Sequence, residues 1–187
     1  MFDSQVAGLT QQILELIEDG KQTPIILIDG RAGSGKSTLA ELLQNQLFKL
    51  GESAPRVVHM DDLYEGWDGL QAGVDYLQRF ILNPLARREG ANWQEFDWAS
   101  NTRDGQWREF RGGTPLIIEG CGALSRLAAE QADLKIWLEV DAEVRHQRWL
   151  EREGNDEFWG RWAGQEIDFY AREKSVELAD LIVSEAN

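Results

Sequence analysis

Gly30-Arg31-Ala32-Gly33-Ser34-Gly35-Lys36-Ser37-Thr38 is the stretch on which the reading of this chain turns. It fits G-x-x-x-x-G-K-[ST] through Gly30, Gly35, Lys36 and Ser37, and its flanks suit the pattern. Pro24-Ile25-Ile26-Leu27-Ile28-Asp29 ahead of it is a short apolar run with the make-up of a buried strand. Residues 39–47 behind it repeat apolar side chains at helical spacing. In a strand, glycine-rich turn and helix, the turn curls so that backbone N–H groups point at phosphate oxygens. The helix then adds the positive end of its dipole. Residues 30–38 are therefore expected to hold the phosphates of ATP, with Lys36 on the β- and γ-phosphates and the Ser37 hydroxyl on Mg²⁺.

Outward from this loop, apolar runs alternate with helical patterns. A helix is expected over residues 3–19, strands over 24–29, 57–60, 115–119, 135–140 and 179–183, and helices over 36–50, 74–88, 124–131, 142–153 and 165–177. Pro84 makes a break near Asn83 possible in the third of these helices, and Arg103-Asp104-Gly105 reads as the turn of a hairpin within residues 95–110. Strands alternating with helices imply an α/β fold: one domain over residues 1–187, with a mostly parallel five-stranded sheet and helices on both faces. Ligand then belongs at the carboxyl ends of the strands.

A chain of 187 residues, 42% of them hydrophobic, can bury a sizeable core. A formal charge of −14 repels nucleic acid backbones and acidic membranes, so neither is an expected partner. Asp3, Glu15, Glu18 and Asp19 do not suit an export signal, no apolar run is long enough to cross a membrane, and Cys121 alone leaves no internal disulfide. A cytoplasmic protein is expected. Eight tryptophans, several between Trp67 and Trp107 and others at Trp149, Trp159 and Trp162, supply large packing surfaces. The last three either anchor a lid or line a slot for adenine.

Two further strand ends carry acids: the strand at 57–60 runs into Asp61-Asp62, and Ile117-Ile118 runs into Glu119-Gly120. In a parallel sheet these ends share one edge with the phosphate loop, which is the set that phosphoryl transfer needs: a cation, a carboxylate near Mg²⁺, and a base. Caps or solvated turns are the plainer reading of such acids. Arg145, Arg148 and Arg152 are three and four residues apart on one helix face. They could close over a transferring phosphate as part of a lid over residues 145–164, or pair with Glu143, Glu151 and Glu153. His59 reads as a core residue, His146 as surface, and Cys121 as small packing rather than a nucleophile.

In order, the phosphate loop, Asp61-Asp62-Leu63-Tyr64, Phe96-Asp97-Trp98, Ile117-Ile118-Glu119-Gly120 and the arginine helix resemble the uridine kinase-like P-loop kinases, a family that includes nicotinamide riboside kinases. The resemblance covers about residues 24–183. It implies the three-layer P-loop NTPase sandwich with a small lid, Asp61 as catalytic base, Glu119 beside the metal with Ser37 and Asp61, and Arg145, Arg148 and Arg152 on ATP phosphates. It also places Phe96 and Asn101 where uridine kinases read the base with a tyrosine and a histidine, which argues against uridine as the acceptor. The acceptor pocket is expected from Asp62, Tyr64, Trp67, Asp68, Phe96, Asp97 and Trp98: aromatic walls with carboxylates, suited to a hydroxylated, flat or cationic molecule. The expected activity is transfer of the γ-phosphoryl of Mg·ATP to a hydroxyl of a small, nucleoside-like metabolite. The alternatives are a nucleotide-binding regulator or ATPase, and a nucleoside monophosphate kinase holding its acceptor with Arg79, Arg87 or Arg88.

Overall fold

A computed structural model describes residues 3–51 and 54–184, so the two ends of the expected 1–187 domain lie outside the described residues. Five parallel strands form the central sheet in the order β2-β5-β1-β6-β7. They are β1 (Ile25–Asp29), β2 (Arg56–His59), β5 (Leu116–Glu119), β6 (Leu134–Glu139) and β7 (Leu181–Ser184). Side chains alternate across the pleat. Ile26 and Ile28 of β1, with Ile117 of β5 and Ile136 of β6, pack beneath α1 (Asp3–Glu18) and α2 (Lys36–Lys49). Leu27, Leu116, Ile118 and Trp137 face the opposite layer. That layer holds α3 (Leu70–Leu77), α4 (Asn83–Ala86), α5 (Arg126–Ala129), α6 (Ala142–Glu153), α7 (Trp159–Glu173) and α8 (Ser175–Leu178). The result is the three-layer α/β sandwich of the P-loop NTPases. Among the described residues, no helix is long and apolar enough to cross a membrane.

The first strand lies between β5 and β6, so strand order reverses at its carboxyl end and a crevice opens there. His59 is opposite Glu119 in the β2–β5 register, and Ile28 is opposite Glu119 in the β1–β5 register. The acids after β2 and β5 and the loop after β1 therefore share one edge.

The hairpin differs from the sequence reading. Its strands are β3 (Ala91–Asp97) and β4 (Thr102–Phe110), paired from Ala91–Phe110 to Asp97–Thr102, so the turn falls at residues 98–101. Asp97 Oδ1 accepts from the Ala99 N–H at 2.9 Å, and Asn101 takes φ +56. An Asx turn plus a left-handed asparagine reverses the chain there. Gly105, at φ +75, is instead in the irregular part of the ladder, where the register shifts between Gln94 and Phe96. The helical stretch expected at 74–88 starts earlier, at Leu70, and does not break. A π-helical segment, Gln78–Leu82, runs into α4. Pro84 offers no N–H to the carbonyl four residues back, and the π turn just ahead of it absorbs the change in register. The expected helix at 124–131 is only α5, capped by the Ser125 hydroxyl, which accepts from the Ala128 N–H. The helix expected at 165–177 begins six residues earlier and stops at Lys174, which takes the left-handed conformation before α8.

Candidate active site

The loop between β1 and α2 opens onto a cavity of about 960 Å³. Gly33 has φ +80, and a Cβ there would collide with the Arg145 carbonyl, so only glycine permits the loop to lie this close to α6. No side chain caps the start of α2, and Gly35, Lys36, Ser37 and Thr38 face the cavity. An uncapped helix end with curled backbone around it suits a polyphosphate. The Lys36 ammonium is 7% exposed and donates to the Arg31 carbonyl at 3.1 Å. Burial works against its charge, but Cys121, Glu119, Asp29 and Glu166 around it more than offset that and hold its pKa above the ordinary value. Burial pushes the Cys121 thiol well up, which suits a packing residue beside the lysine.

Two buried acids brace this loop. Asp29, at the end of β1, accepts from the N–H groups of Gly30 (2.6 Å), Gly122 (3.1 Å) and Leu124 (2.8 Å) and from the Tyr170 hydroxyl (2.7 Å). Burial raises its pKa to about 6 although these hydrogen bonds pull it down. Glu166 of α7, 1% exposed, accepts from the Ala32 N–H at 2.6 Å and from the Trp162 indole at 3.2 Å, and pairs with Arg31 at 3.7 Å. Sequence reasoning passed over both. The sign of Glu166 was its place on the buried stripe Trp162, Glu166, Phe169, Tyr170 of an amphipathic helix. Nothing local marked the role of Asp29, whose partners arrive from the loop after β5 and from α7.

A 3₁₀ turn at Met60–Asp62 carries the chain from β2 to the cavity wall, placing both Asp61 and Asp62 on it. The Asp61 carboxylate is open to the cavity yet ringed by protein. Burial raises its pKa and Glu119 adds to the rise, while Lys36, Arg152 and His59 pull it down. Asp62 is pushed up to about 6, by burial first and then by Glu95. Glu119 lines the cavity, and its Oε1 lies 2.6 Å from His59 Nδ1. His59 is thus not a core residue: its side chain is 40% exposed, and the Glu119 contact raises its pKa against burial.

The three arginines of α6 separate. Arg148 and Arg152 line the cavity. Arg145 is buried instead: it donates to the carbonyls of Val140 (3.1 Å) and Ala32 (3.2 Å), which makes it a clamp on the loop backbone rather than a group aimed at the cavity. The aromatic residues converge on Trp67, which stacks on Phe158 (4.6 Å) and contacts Trp98 (5.0 Å), Trp149 (5.5 Å) and Trp162 (6.3 Å). Trp149 and Trp162 both anchor residues 145–164 and line the cavity.

Of the residues expected to touch nucleotide, Ala32, Gly33, Gly35, Lys36, Ser37, Thr38 and Arg152 line the cavity. Gly30, Arg31 and Ser34 do not: Gly30 packs on Leu138, Arg31 lies over the Tyr170 ring, and Ser34 is fully buried. Of those expected to touch the acceptor, Asp62, Tyr64, Trp67 and Trp98 line it. Asp68 instead pairs with Arg161 outside it, Phe96 is buried under Trp98, and Asp97 serves the hairpin turn. The resemblance carried Phe96 and Asp97 to the site by motif order, but only the register of the hairpin decides where they point.

No group of three metal-ligating His, Cys, Asp or Glu side chains stands together among the described residues. A Mg²⁺ held by one or two carboxylates, a hydroxyl and substrate phosphates does not require one, and Ser37, Asp61 and Glu119 on one cavity wall fit that donor set.

Comparison with known proteins bears on family and fold. The profile of the AAA domain family matches residues 26–159. A cytidylate kinase of Thermococcus sibiricus is 28% identical over 135 residues, which is 70% of this chain but only 58% of that protein's length. A possible uridine kinase from Bacillus stearothermophilus has the same fold, with a TM-score of 0.71 at 20% identity over 97% of this chain and 98% of that one. A D-glycerate 3-kinase from Cryptococcus neoformans follows with a TM-score of 0.51 at 15% identity, over 93% and 88% of the two chains. The chain belongs to the AAA domain family and has the fold of the uridine kinase-like P-loop kinases.

Proposed function

We propose that the chain is a single-domain, ATP-dependent kinase that phosphorylates a hydroxyl of a small metabolite. The observation that carries this reading is one cavity joining the phosphate loop and two α6 arginines to a free carboxylate, Asp61, and an aromatic wall beyond it. A regulator would need a switch surface beside Asp61, where a concave pocket walled by Tyr64, Trp67 and Trp98 lies instead.

Bound Mg·ATP would supply the γ-phosphoryl group and shield its charge. Gly33, Gly35, Lys36, Ser37 and Thr38 would hold its phosphates, with the Lys36 charge sustained by the acids around it. Ser37 and Glu119, the latter fixed by His59, would hold Mg²⁺. The Asp61 carboxylate orients the acceptor hydroxyl and takes its proton as the new O–P bond forms and ADP leaves. Its raised pKa brings it nearer the range of a useful base. Arg148 and Arg152 cover the transferring group, with residues 145–164 as the lid.

The second reading, a nucleoside monophosphate kinase, draws on the cytidylate kinase relative. It requires cations for the acceptor phosphate, and Arg79, Arg87 and Arg88 do not line the cavity. The test is ADP formation with Mg·ATP and a panel of nucleosides, nucleoside monophosphates, sugars and vitamin precursors, beside Lys36→Ala. ADP formation that requires an uncharged or cationic alcohol and is lost in Lys36→Ala is expected. ADP formation without any acceptor would make the chain an ATPase, and turnover of monophosphates alone would establish the second reading.

A further inference from the structure

We propose that the acceptor end of the cavity selects a hydroxylated organic cation, bound by the aromatic surfaces of Trp67, Trp98, Tyr64 and Trp162 and by the carboxylates of Asp61 and Asp62. This deepens the kinase reading and rests on it.

The polar atoms of the wall decide the matter. The Trp98 indole donates to the Asp61 carbonyl at 2.9 Å, the Tyr64 hydroxyl to the Cys121 carbonyl at 2.6 Å, and the Trp162 indole to Glu166 at 3.2 Å. These three rings therefore offer a ligand carbon and π surface rather than hydrogen-bond donors. Of the four, only the Trp67 indole N–H has no protein acceptor among the described residues. The carboxylates of Asp61 and Asp62 accept only, and no described side chain donates to either. Arg103, beside them, is directed onto the carbonyls of Asp62 (3.4 Å), Leu63 (2.8 Å) and Gln94 (3.3 Å) and onto Glu65 (3.0 Å) rather than onto the two carboxylates, and it does not line the cavity.

Of the cavity's own cations, Lys36 and Arg148 contact the phosphate loop, and Arg152 lies over the Trp149 ring with its charge felt at Asp61. A bound triphosphate neutralises them, which leaves the acceptor end with two carboxylates and several π systems. Such a lining attracts positive charge twice, through the ring quadrupoles and through the carboxylates, and it repels a phosphorylated acceptor. A neutral nucleobase would meet few donors for its carbonyl oxygens. A cation carrying a hydroxyl would place its charge among the rings and its hydroxyl at Asp61.

The test is calorimetric binding to the protein loaded with Mg²⁺ and a non-hydrolysable ATP analogue. It uses two pairs matched in shape and differing in charge: choline against 3,3-dimethylbutan-1-ol, and 1-(2-hydroxyethyl)pyridinium against 2-phenylethanol. Each cation should bind about tenfold tighter than its neutral partner, a difference of about 1.4 kcal/mol. The ratio should shrink several-fold in Trp98→Leu and in Asp62→Asn. Trp98 is 39% exposed, so its loss spares the core. Equal affinity within a pair, preference for the neutral member, no binding by any of the four, or tighter binding of cytidine monophosphate would overturn the proposal. Failure of the kinase reading is separate: it would appear as ADP formation without any acceptor, or as none with any member of the acceptor panel, whatever the ratio within each pair.

Discussion

Replacing Glu166 by alanine should loosen the phosphate loop from a distance of 134 residues along the chain. The carboxylate is 1% exposed and holds the N–H groups of Ala32 and Trp162, with Arg31 as its ionic partner. Truncation leaves two buried donors without acceptors, each costing about 1–3 kcal/mol, so roughly 2–6 kcal/mol of stability should be lost. Glu166→Gln keeps one acceptor oxygen and the volume and gives up only the charge, so about 1–2 kcal/mol is expected. Urea unfolding of the three proteins measures both losses. Titration with the ATP analogue measures the loop: weaker nucleotide binding in Glu166→Ala and a smaller change in Glu166→Gln are expected, because Ala32 lines the cavity. A loss below about 1 kcal/mol in Glu166→Ala, within the range of surface substitutions, with unchanged nucleotide affinity would show that α7 does not brace the loop.

Asp61→Asn should leave ATP binding nearly intact and slow transfer by roughly 10²–10⁴-fold, as single-turnover kinetics would show; a fall of less than about threefold would move the base to Asp62. Asp29 has a folded-state pKa near 6 against 3.8 unfolded, so the folded state binds the proton more tightly, and this group's contribution to stability falls as pH rises from about 4 to 7. The contribution is about 3 kcal/mol, and it should emerge as the difference between the pH profiles of wild type and Asp29→Asn in urea unfolding; parallel profiles would refute it. Hydrogen exchange over residues 145–164 should slow when Mg·ATP is added, since Arg148 and Arg152 then gain phosphate partners. Unchanged exchange would mean that the aromatic packing on Trp67 already holds the lid shut.

What the chain declares by itself is local. A loop of glycines ahead of Lys36 and Ser37, between an apolar run and a helical pattern, has one main structural use, so the P-loop sandwich followed from a few residues and the strand-helix alternation around them. The placing of Asp61, Asp62 and Glu119 on the cavity edge followed too, because parallel strands end on a common side. Direction and partnership were not legible. Arg145 and Arg148 are three residues apart on one helix, yet one clamps the Ala32 carbonyl and the other lines the cavity, because the loop lies between them. The hairpin turn falls at residues 98–101 rather than at Gly105 because cross-strand register, not a local turn signal, settles where the chain reverses, and this took Phe96 and Asp97 out of the site. Asp29, His59 and Glu166 acquire their roles from residues 60 to 141 positions away, brought close by the closing of the sheet and the docking of α7. Periodicity and spacing record which face a side chain takes, but the partner it meets across that face is decided by packing among distant segments.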